Sequence, residues 1–170
     1  VSAERLNSDP SLQDLIGIVP FGVPSETPAY KPYLPKANKN SFRILFGGLY
    51  DWYDPLTLLE ALNTSEFDRC ELIFVKNPNP ESTPQRRLSE VIDWCKKHKW
   101  PERRLKVIDW APYDRRYDLL QDVDLMVATH ADTLETDLSM RTRFLDAIAV
   151  RCPVISSAGG EVSKLLQTYE

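Results

Sequence analysis

From Ser41 onward, short apolar runs alternate with amphipathic stretches, and this rhythm constrains the fold more than any other feature of the sequence. The predicted strands are 42–46, 72–75, 105–108, 125–128 and 154–156, and the predicted helices are 55–62, 85–98, 114–121, 141–150 and 161–167. Short apolar runs bounded by turn residues are typical of buried parallel strands, and the stretches between them suit crossover helices. Because such crossovers are right-handed, the pattern predicts an α/β fold with a doubly wound parallel sheet, which binds ligands at the carboxyl ends of its strands.

The first 40 residues differ in composition from the rest. Six of the thirteen prolines fall there: Pro10, Pro20, Pro24, Pro28, Pro32 and Pro35. Because proline lacks the backbone N–H that helices and central strands need, residues 1–40 are predicted to be a linker or interdomain segment, and residues 41–170 the folded domain. The chain begins at Val1 and ends inside a predicted helix, so we expect it to be a piece of a longer protein.

Charge and cysteine content exclude several classes of function. With 21 basic and 25 acidic residues the net charge is -4, which provides no general basic field for nucleic acid. No apolar stretch is long enough for a membrane span and no signal peptide is visible. The three cysteines are an odd number without C-x-x-C spacing, which indicates free thiols in a reducing compartment and no zinc site. Two histidines are too few for a multi-histidine metal centre. We therefore expect a cytoplasmic protein that binds neither nucleic acid nor metal.

Gly47 and Gly48 follow the first predicted strand. Glycine lets a ligand phosphate approach the backbone closely, but a tight turn between a strand and a helix needs the same residue. Both interpretations stay open at this point. The segment is neither G-x-G-x-x-G nor G-x-x-x-x-G-K-[ST], and no acid ends the second strand. A dinucleotide-dependent dehydrogenase and a P-loop NTPase are therefore excluded.

Arg141 and Arg143 stand at the start of the helix predicted after Ser139, its expected N-cap. A helix N-terminus attracts anions through its unpaired N–H groups and its dipole, so cations there are unfavourable unless something negative binds beside them. The alternative is a solvated basic face, but we interpret the pair as a phosphate site. His130 follows the fourth predicted strand, and Lys76 follows the second. For each, two interpretations stay open: a contact with the ligand, or an ordinary polar residue of a loop.

Several pieces of sequence together resemble one family. They are 47–55 after the first strand, 110–113 after the third, and 141–147 running into 153–161, with the run 20–24 in the linker. Residues 41–168 are similar to the C-terminal, donor-binding domain of nucleotide-sugar glycosyltransferases of the GT-B architecture, in particular the retaining group 1 type. The resemblance implies a Rossmann-like domain. It also implies that this domain works with an N-terminal acceptor domain of the same chain, which the 170 residues do not include.

The resemblance also implies roles for residues. An acid on the helix of the family holds the donor ribose, and that position matches Asp146. Backbone amides at the start of this helix contact the diphosphate. The family's sugar-facing acid lies eight positions before the ribose acid, where this chain has Leu138. Glu135 and Asp137 are nearby substitutes. Trp110 follows the third strand, where it either stacks on the nucleobase or packs over the strand end.

The expected site is therefore the following. The catalytic residues are Glu135, Asp137 and Arg143, and the substrate-binding residues are Gly47, Gly48, Trp110, Arg141, Thr142 and Asp146. No cofactor is expected, because the nucleoside diphosphate sugar is itself the donor substrate. No metal ion is expected either, because arginines and backbone amides would stabilise the diphosphate.

The resemblance implies a glycosyltransferase of hexosyltransferase type, as in polysaccharide biosynthesis. Its acceptor is unknown, with a glycan or a lipid-linked saccharide as candidates. This piece alone is expected to bind the donor without turnover. The alternative, favoured by Leu138 at the acid position, is a non-catalytic Rossmann-like nucleotide-binding or docking module. A phosphoacceptor signalling domain fits less well, because Gly47 and Gly48 stand where magnesium would need acids.

Overall fold

The computed structural model of the chain describes residues 21–35, 40–79 and 86–159. Its strands are β1 (Phe42–Phe46), β2 (Cys70–Val75), β3 (Leu105–Ile108), β4 (Leu125–Ala128) and β5 (Val154–Ser156). Its α-helices are α1 (Pro55–Ala61), α2 (Arg86–Lys97), α3 (Arg116–Gln121), α4 (Leu134–Leu138) and α5 (Thr142–Ala149). Short 3₁₀ turns lie at Ser65–Phe67, Glu102–Arg104 and Tyr113–Arg115. The helix predicted over 161–167 lies outside the described residues.

The strands form a parallel sheet in the order β3-β2-β1-β4-β5. The chain moves outward from β1 to β3, then returns to β4 on the other side of β1. This order and the flanking helices confirm the predicted α/β class and its Rossmann-like doubly wound sheet. The strand order reverses between β1 and β4, so the carboxyl ends of these two strands frame the crevice in which such sheets bind ligands.

Successive strand residues face opposite sides of the sheet and fill two apolar cores. On one side Ile44, Phe46 and Phe74 pack against α1 and α2. On the other side Leu45 and Met126 pack against α3 and α5. Burying each such side chain contributes about 1.5–3 kcal/mol, so the sheet and its helices form one stable framework. Within the described ranges, no helix has the length and apolarity needed to cross a bilayer.

Helix α1 begins as the sequence predicts. Pro55 occupies its first turn, and the carboxylate of the N-cap Asp54 accepts a hydrogen bond from the backbone N–H of Thr57 at 3.4 Å. Such a cap satisfies one of the donors that a helix start leaves unpaired.

Helix α5 begins differently from the prediction. Its N-cap is Arg141 and no side chain caps it, whereas Ser139 has extended backbone and ends α4. Helix α4 was not predicted from the sequence. The prediction that Ser139 is the N-cap of α5 was therefore wrong, since Ser139 ends α4. The hydroxyl of Thr133 caps α4 by accepting from the N–H of Thr136.

Part of the proline-rich segment packs on the domain. No helix or strand occurs within 21–35, but Leu34 is buried in the core. The backbone N–H groups of Tyr33 and Leu34 donate to Asp122 at 2.7 and 2.6 Å, and that of Lys31 donates to Asp118 at 2.9 Å. The two aspartates therefore hold this segment against α3. The predicted division of the chain at residue 40 stays a prediction.

Candidate functional site

A cleft of about 240 Å³ opens at the carboxyl ends of the strands, between β1, β3 and helices α3 and α5. Five predicted site residues line it: Gly47, Trp110, Thr142, Arg143 and Asp146. Its wall also includes Tyr113 and Arg116, which the sequence analysis did not select, and its floor is apolar, with Leu45, Val75, Leu119, Leu120 and Met126. An apolar cavity with a few polar groups at its mouth is the usual form of a small-molecule site.

The glycine pair lets Arg143 reach the end of β1. An ideal Cβ on Gly48 would lie 2.8 Å from the Tyr53 ring and 2.9 Å from Nη1 of Arg143. On Gly47 it would lie 3.0 Å from the Cβ of Ala128. Nη1 of Arg143 donates a hydrogen bond to the carbonyl oxygen of Gly47. The glycines are therefore needed for close packing of the turn, whatever binds beside it.

Arg143 also connects the glycine turn to Trp110. Its guanidinium carbon lies 4.8 Å from the centre of the indole ring, a cation–π distance. Trp110 remains 38 % exposed, so an aromatic surface borders the cleft beside a positive charge. A guanidinium has five N–H donors, and among the described residues that of Arg143 makes one hydrogen bond, to the carbonyl of Gly47. The group can therefore bind an anion at the glycine turn.

Asp146 forms an ion pair with Arg116, with Nε and Oδ1 3.1 Å apart. Asp146 therefore pairs with a residue of α3 rather than with Arg143, three residues earlier on its own helix. The Arg116 guanidinium lies 3.8 Å from the ring centre of Tyr113 and 4.0 Å from that of Tyr117. Burial acts to lower the pKa of Arg116, but the hydrogen bond and charge of Asp146 outweigh burial and raise it.

Arg141 lies against the loop after β5 and is buried, with 7 % exposure. Its Nη1 donates to Oγ of Ser156 and to the carbonyl of Ser157, both at 2.8 Å. Its Nη2 donates at 3.4 Å to two further carbonyls, of Thr136 and Ala158. Burial lowers its pKa. Most of its donors are thus used in holding the loop after β5, and its predicted contact with phosphate stays a prediction.

The rings of His130 and Tyr53 lie against each other, near the charge of Arg141. The ring centres lie 4.6 Å apart, and the residues form an isolated antiparallel bridge. Burial, with the nearby charge of Arg141, lowers the pKa of His130 to about 4, so the imidazole is neutral at physiological pH. Burial raises the pKa of the Tyr53 phenol. The charge of Arg143 acts to lower this pKa, and that of Glu135 acts to raise it. Tyr53 belongs to the segment 47–55 after the first strand but was not predicted as a site residue.

Glu135 and Asp137 lie on α4, and both side chains are exposed. They do not line the 240 Å³ cleft. The Oδ1 atom of Asp137 is 3.4 Å from the position of a Cβ on Gly159, whose φ of +109° requires glycine. Leu138, at the position of the family's acid, is 73 % exposed. Asp137 therefore lies beside the loop after β5, and the charges of both acids reach Arg141.

Two other polar groups have structural partners. Lys76 forms an exposed ion pair with Asp109 at 2.8 Å, which accounts for its position at the end of β2. Asp122 and Asp124 have the Asp-x-Asp spacing of a metal clamp, but they precede β4 and accept backbone hydrogen bonds, from Tyr33 and Leu34 and from Arg43 respectively. Among the described residues no group of three or more potential ligands could hold a metal ion.

Comparison with protein-family models finds no match, and comparison with curated proteins finds none either. The fold does match solved structures. HepE from Anabaena, in complex with UDP-glucose, is 19 % identical over 74 % of this chain and 32 % of its own, with a TM-score of 0.59. A glycosyltransferase from Rickettsia africae is 16 % identical over 75 % of this chain and 32 % of its own, with a TM-score of 0.58. Sucrose-phosphate synthase from Thermosynechococcus elongatus is 16 % identical over 77 % and 32 %, with a TM-score of 0.53.

These likenesses confirm, at the level of the fold, the resemblance to the Rossmann-like domain of GT-B glycosyltransferases. The chain spans about a third of the length of each of these three structures.

Proposed function

We propose that this domain binds a nucleoside diphosphate sugar and serves as the donor half of a metal-independent, retaining glycosyltransferase of hexosyltransferase type. The observation that carries the proposal is the cleft itself. It places Asp146, Arg143 and Trp110 around one apolar floor, at the point where the strand order reverses. The same fold occurs in HepE, whose structure contains UDP-glucose.

The order of groups along the cleft suits a nucleotide. We place the base against Trp110 and Tyr113, because aromatic rings offer stacking surfaces to any base. The ribose hydroxyls then reach Asp146, whose carboxylate can accept two hydrogen bonds. The diphosphate follows toward Arg143 and the first-turn amides of α5, of which Thr142 lies at the cleft. A helix start of this kind supplies N–H donors to phosphate oxygens.

This placement assigns the chemistry to the far side of the glycine turn. As the glycosidic bond breaks, negative charge grows on the β-phosphate, and fixed positive groups near it lower the barrier. Arg143, held between Gly47 and Trp110, is the group we assign to that charge, together with the backbone at Gly48. Glu135 and Asp137 are assigned to the donor sugar, in place of the acid that Leu138 replaces.

The size of the cleft supports a shared site. At about 240 Å³ it is smaller than the roughly 300–1,000 Å³ of most small-molecule pockets. The domain alone would thus enclose the nucleotide and leave the sugar open. We propose that an N-terminal acceptor domain of the same protein covers the sugar and binds the acceptor, a glycan or a lipid-linked saccharide.

A non-catalytic nucleotide-binding or docking module is the second candidate. The exposed Leu138 favours it, because an apolar side chain there cannot serve as an acid or base. This candidate predicts that the chain binds nucleotide without distinguishing the sugar, or binds none.

Calorimetric titration of the chain with UDP, GDP, ADP and their sugar conjugates tests the proposal. We expect saturable binding of at least one nucleoside diphosphate, with weaker binding of the matching nucleoside. Absence of binding by every nucleotide would overturn the proposal in favour of a docking module. Sugar release from any conjugate by this chain alone would contradict the assignment of the acceptor site to another domain.

A further inference from the structure

A second cavity, of about 180 Å³, lies at the opposite edge of the sheet from the nucleotide cleft. We call it the basic pocket. Its charged lining residues are Arg43, Arg69, Arg103, Arg104, Lys106 and Glu71. Arg43 lies near the start of β1, Glu71 near the start of β2 and Lys106 near the start of β3. The pocket therefore lies at the amino ends of three adjacent strands. None of the residues assigned to nucleotide binding lines it.

Two of the five cations are fixed parts of the wall. The guanidinium of Arg43 donates to Glu71 at 2.9 Å and to the carbonyls of Pro35 and Asp122. That of Arg104 donates to the carbonyls of Cys70 and Leu62 and to Asp68. Both arginine side chains are buried.

The pocket therefore carries preorganised positive charge. Arg104 also lies 4.0 Å from the ring centre of Trp100, which further fixes its position. A binding site gains affinity when its charged groups are held in place before the ligand arrives.

The other cations are left with spare capacity. Arg103 donates a hydrogen bond to the carbonyl of Asp68 at 3.2 Å. The side chains of Arg69 and Lys106 have no hydrogen-bond or ion-pair partner among the described residues. Glu71, the one acid in the lining, is already paired with Arg43. The pocket thus holds five cations and one carboxylate in a protein whose net charge is -4.

The pKa values of groups at the pocket reflect burial and nearby charge. Burial lowers the pKa of Arg104; the charge of Asp68, with which it forms an ion pair at 3.3 Å, opposes this change, and the like charge of Arg103 has a smaller effect in the lowering direction. Burial raises the pKa of the Cys70 thiol, while Arg104 and Arg69 both act to lower it. An anion placed among these groups would relieve their mutual repulsion.

We propose that the basic pocket is a second ligand site, which takes a compact phosphate group, either inorganic phosphate or a small phosphomonoester. Guanidinium groups match the geometry of phosphate oxygens and bind them through charge-assisted hydrogen bonds. The pocket lies at the opposite edge of the sheet from the cleft to which the donor is assigned, and this separates its ligand from the donor of the proposed function. The site does not depend on that proposed function.

The test uses inorganic phosphate and the 170-residue chain, with binding followed by calorimetry and by the shift of the melting temperature. The Arg69→Gln/Lys106→Gln double variant removes two cations at the pocket. The matched control, Lys97→Gln/Lys99→Gln, removes two exposed cations near the end of α2. We expect the first pair to weaken phosphate binding by about tenfold or more and the control pair to leave it unchanged.

Phosphate can also enter the nucleotide cleft, and Arg143→Gln distinguishes the two sites. This variant should leave the phosphate affinity of the basic pocket unchanged while it weakens nucleotide binding. Arg69→Lys, which keeps the charge, should retain part of the affinity, and circular dichroism checks that each variant is folded. Three results would overturn the proposal: no phosphate binding by the unmodified chain, equal losses in the two double variants, or a loss confined to Arg143→Gln. Binding of glucose 6-phosphate with the same dependence on Arg69 and Lys106 would identify a phosphomonoester as the ligand, and binding of free phosphate alone would identify the inorganic ion.

Discussion

The guanidinium of Arg116 lies 3.1 Å from Oδ1 of Asp146, and this ion pair joins α3 to α5 at the wall of the 240 Å³ cleft. The two side chains are 24 % and 25 % exposed, so solvent screens the pair only in part. Arg116 is itself held by Tyr113 and Tyr117. One carboxylate oxygen of Asp146 is therefore fixed in place, and the group is oriented before any ligand arrives.

Asp146→Asn tests the role of this carboxylate in ribose binding. An amide can keep a hydrogen bond from Arg116, so we expect a change in unfolding free energy of under about 1 kcal/mol. An amide accepts two ribose hydroxyls poorly, because its nitrogen cannot accept. Affinity for a ribonucleoside diphosphate should fall about ten- to a hundredfold, with a smaller loss for analogues that lack the ribose hydroxyls. Unchanged affinity in the folded variant would remove Asp146 from the site.

Arg116→Lys tests whether Arg116 positions Asp146. Lysine keeps the charge but lacks the planar fork that orients a carboxylate and stacks on tyrosine. We expect a loss of affinity that is smaller than that of Asp146→Asn and that also depends on the ribose hydroxyls. The double variant should lose little more than Asp146→Asn alone, because coupled residues are not additive. Equal losses for ribose and dideoxyribose ligands would mean that Arg116 acts on another part of the nucleotide.

Arg143→Gln tests the assignment of the diphosphate. A charge-assisted hydrogen bond to phosphate contributes roughly 1.5–3 kcal/mol, so binding of the nucleoside diphosphate should weaken about ten- to a hundredfold. Binding of the bare nucleoside should change much less. Lys97→Gln, an exposed cation on α2, is the control for the loss of one positive charge. Equal losses for nucleotide and nucleoside would show that Arg143 acts through its packing on Trp110.

Much of the fold follows from local sequence. The strands 42–46, 105–108, 125–128 and 154–156 match their predicted bounds, because each is an apolar run closed by turn residues. Helix α4 was missed because it is short and its leucines, Leu134 and Leu138, face solvent, so that no buried face produced a helical period. That omission also made Ser139 look like a helix start.

Part of the site was predictable from the sequence. Trp110 was selected because it follows a predicted strand, and Thr142 and Asp146 because their positions match those of the family that the sequence resembles. The structure brings all three into one cleft. Arg116 was missed because its pairing with Asp146 depends on how α3 packs beside α5. No spacing in the sequence signals a contact between residues thirty positions apart.

Gly48→Ala tests the close approach of Arg143 to the end of β1. The new Cβ would lie within 3.0 Å of both the Tyr53 ring and the Arg143 guanidinium, so both must move. Overpacking of this kind typically costs 1–3 kcal/mol, and we expect a lower melting temperature together with weaker nucleotide binding. Gly22→Ala is the matched control, since nothing lies within 4 Å of its Cβ position. A variant as stable as the control would show that the turn has room to adjust.

The last prediction concerns the buried imidazole of His130. Burial and the charge of Arg141 lower its pKa from 6.5 to about 4. In the unfolded chain the same group takes up a proton near its ordinary pKa. Between these two values the unfolded state therefore binds the proton and the folded state does not. The contribution of His130 to stability is fully present above pH 6.5 and is lost as the pH falls toward about 4.

His130→Phe keeps a ring against Tyr53 and removes this titration. We expect the unfolding free energy of the variant, from urea titrations across the window from pH 6.5 to about 4, to fall less steeply than that of the unmodified chain. Asp118, whose pKa is lowered from 3.8 by the N–H of Lys31 and by Arg115, acts below that window. Parallel pH profiles for His130→Phe and the unmodified chain would show that His130 is charged in the folded domain, with Arg141 too distant to oppose it.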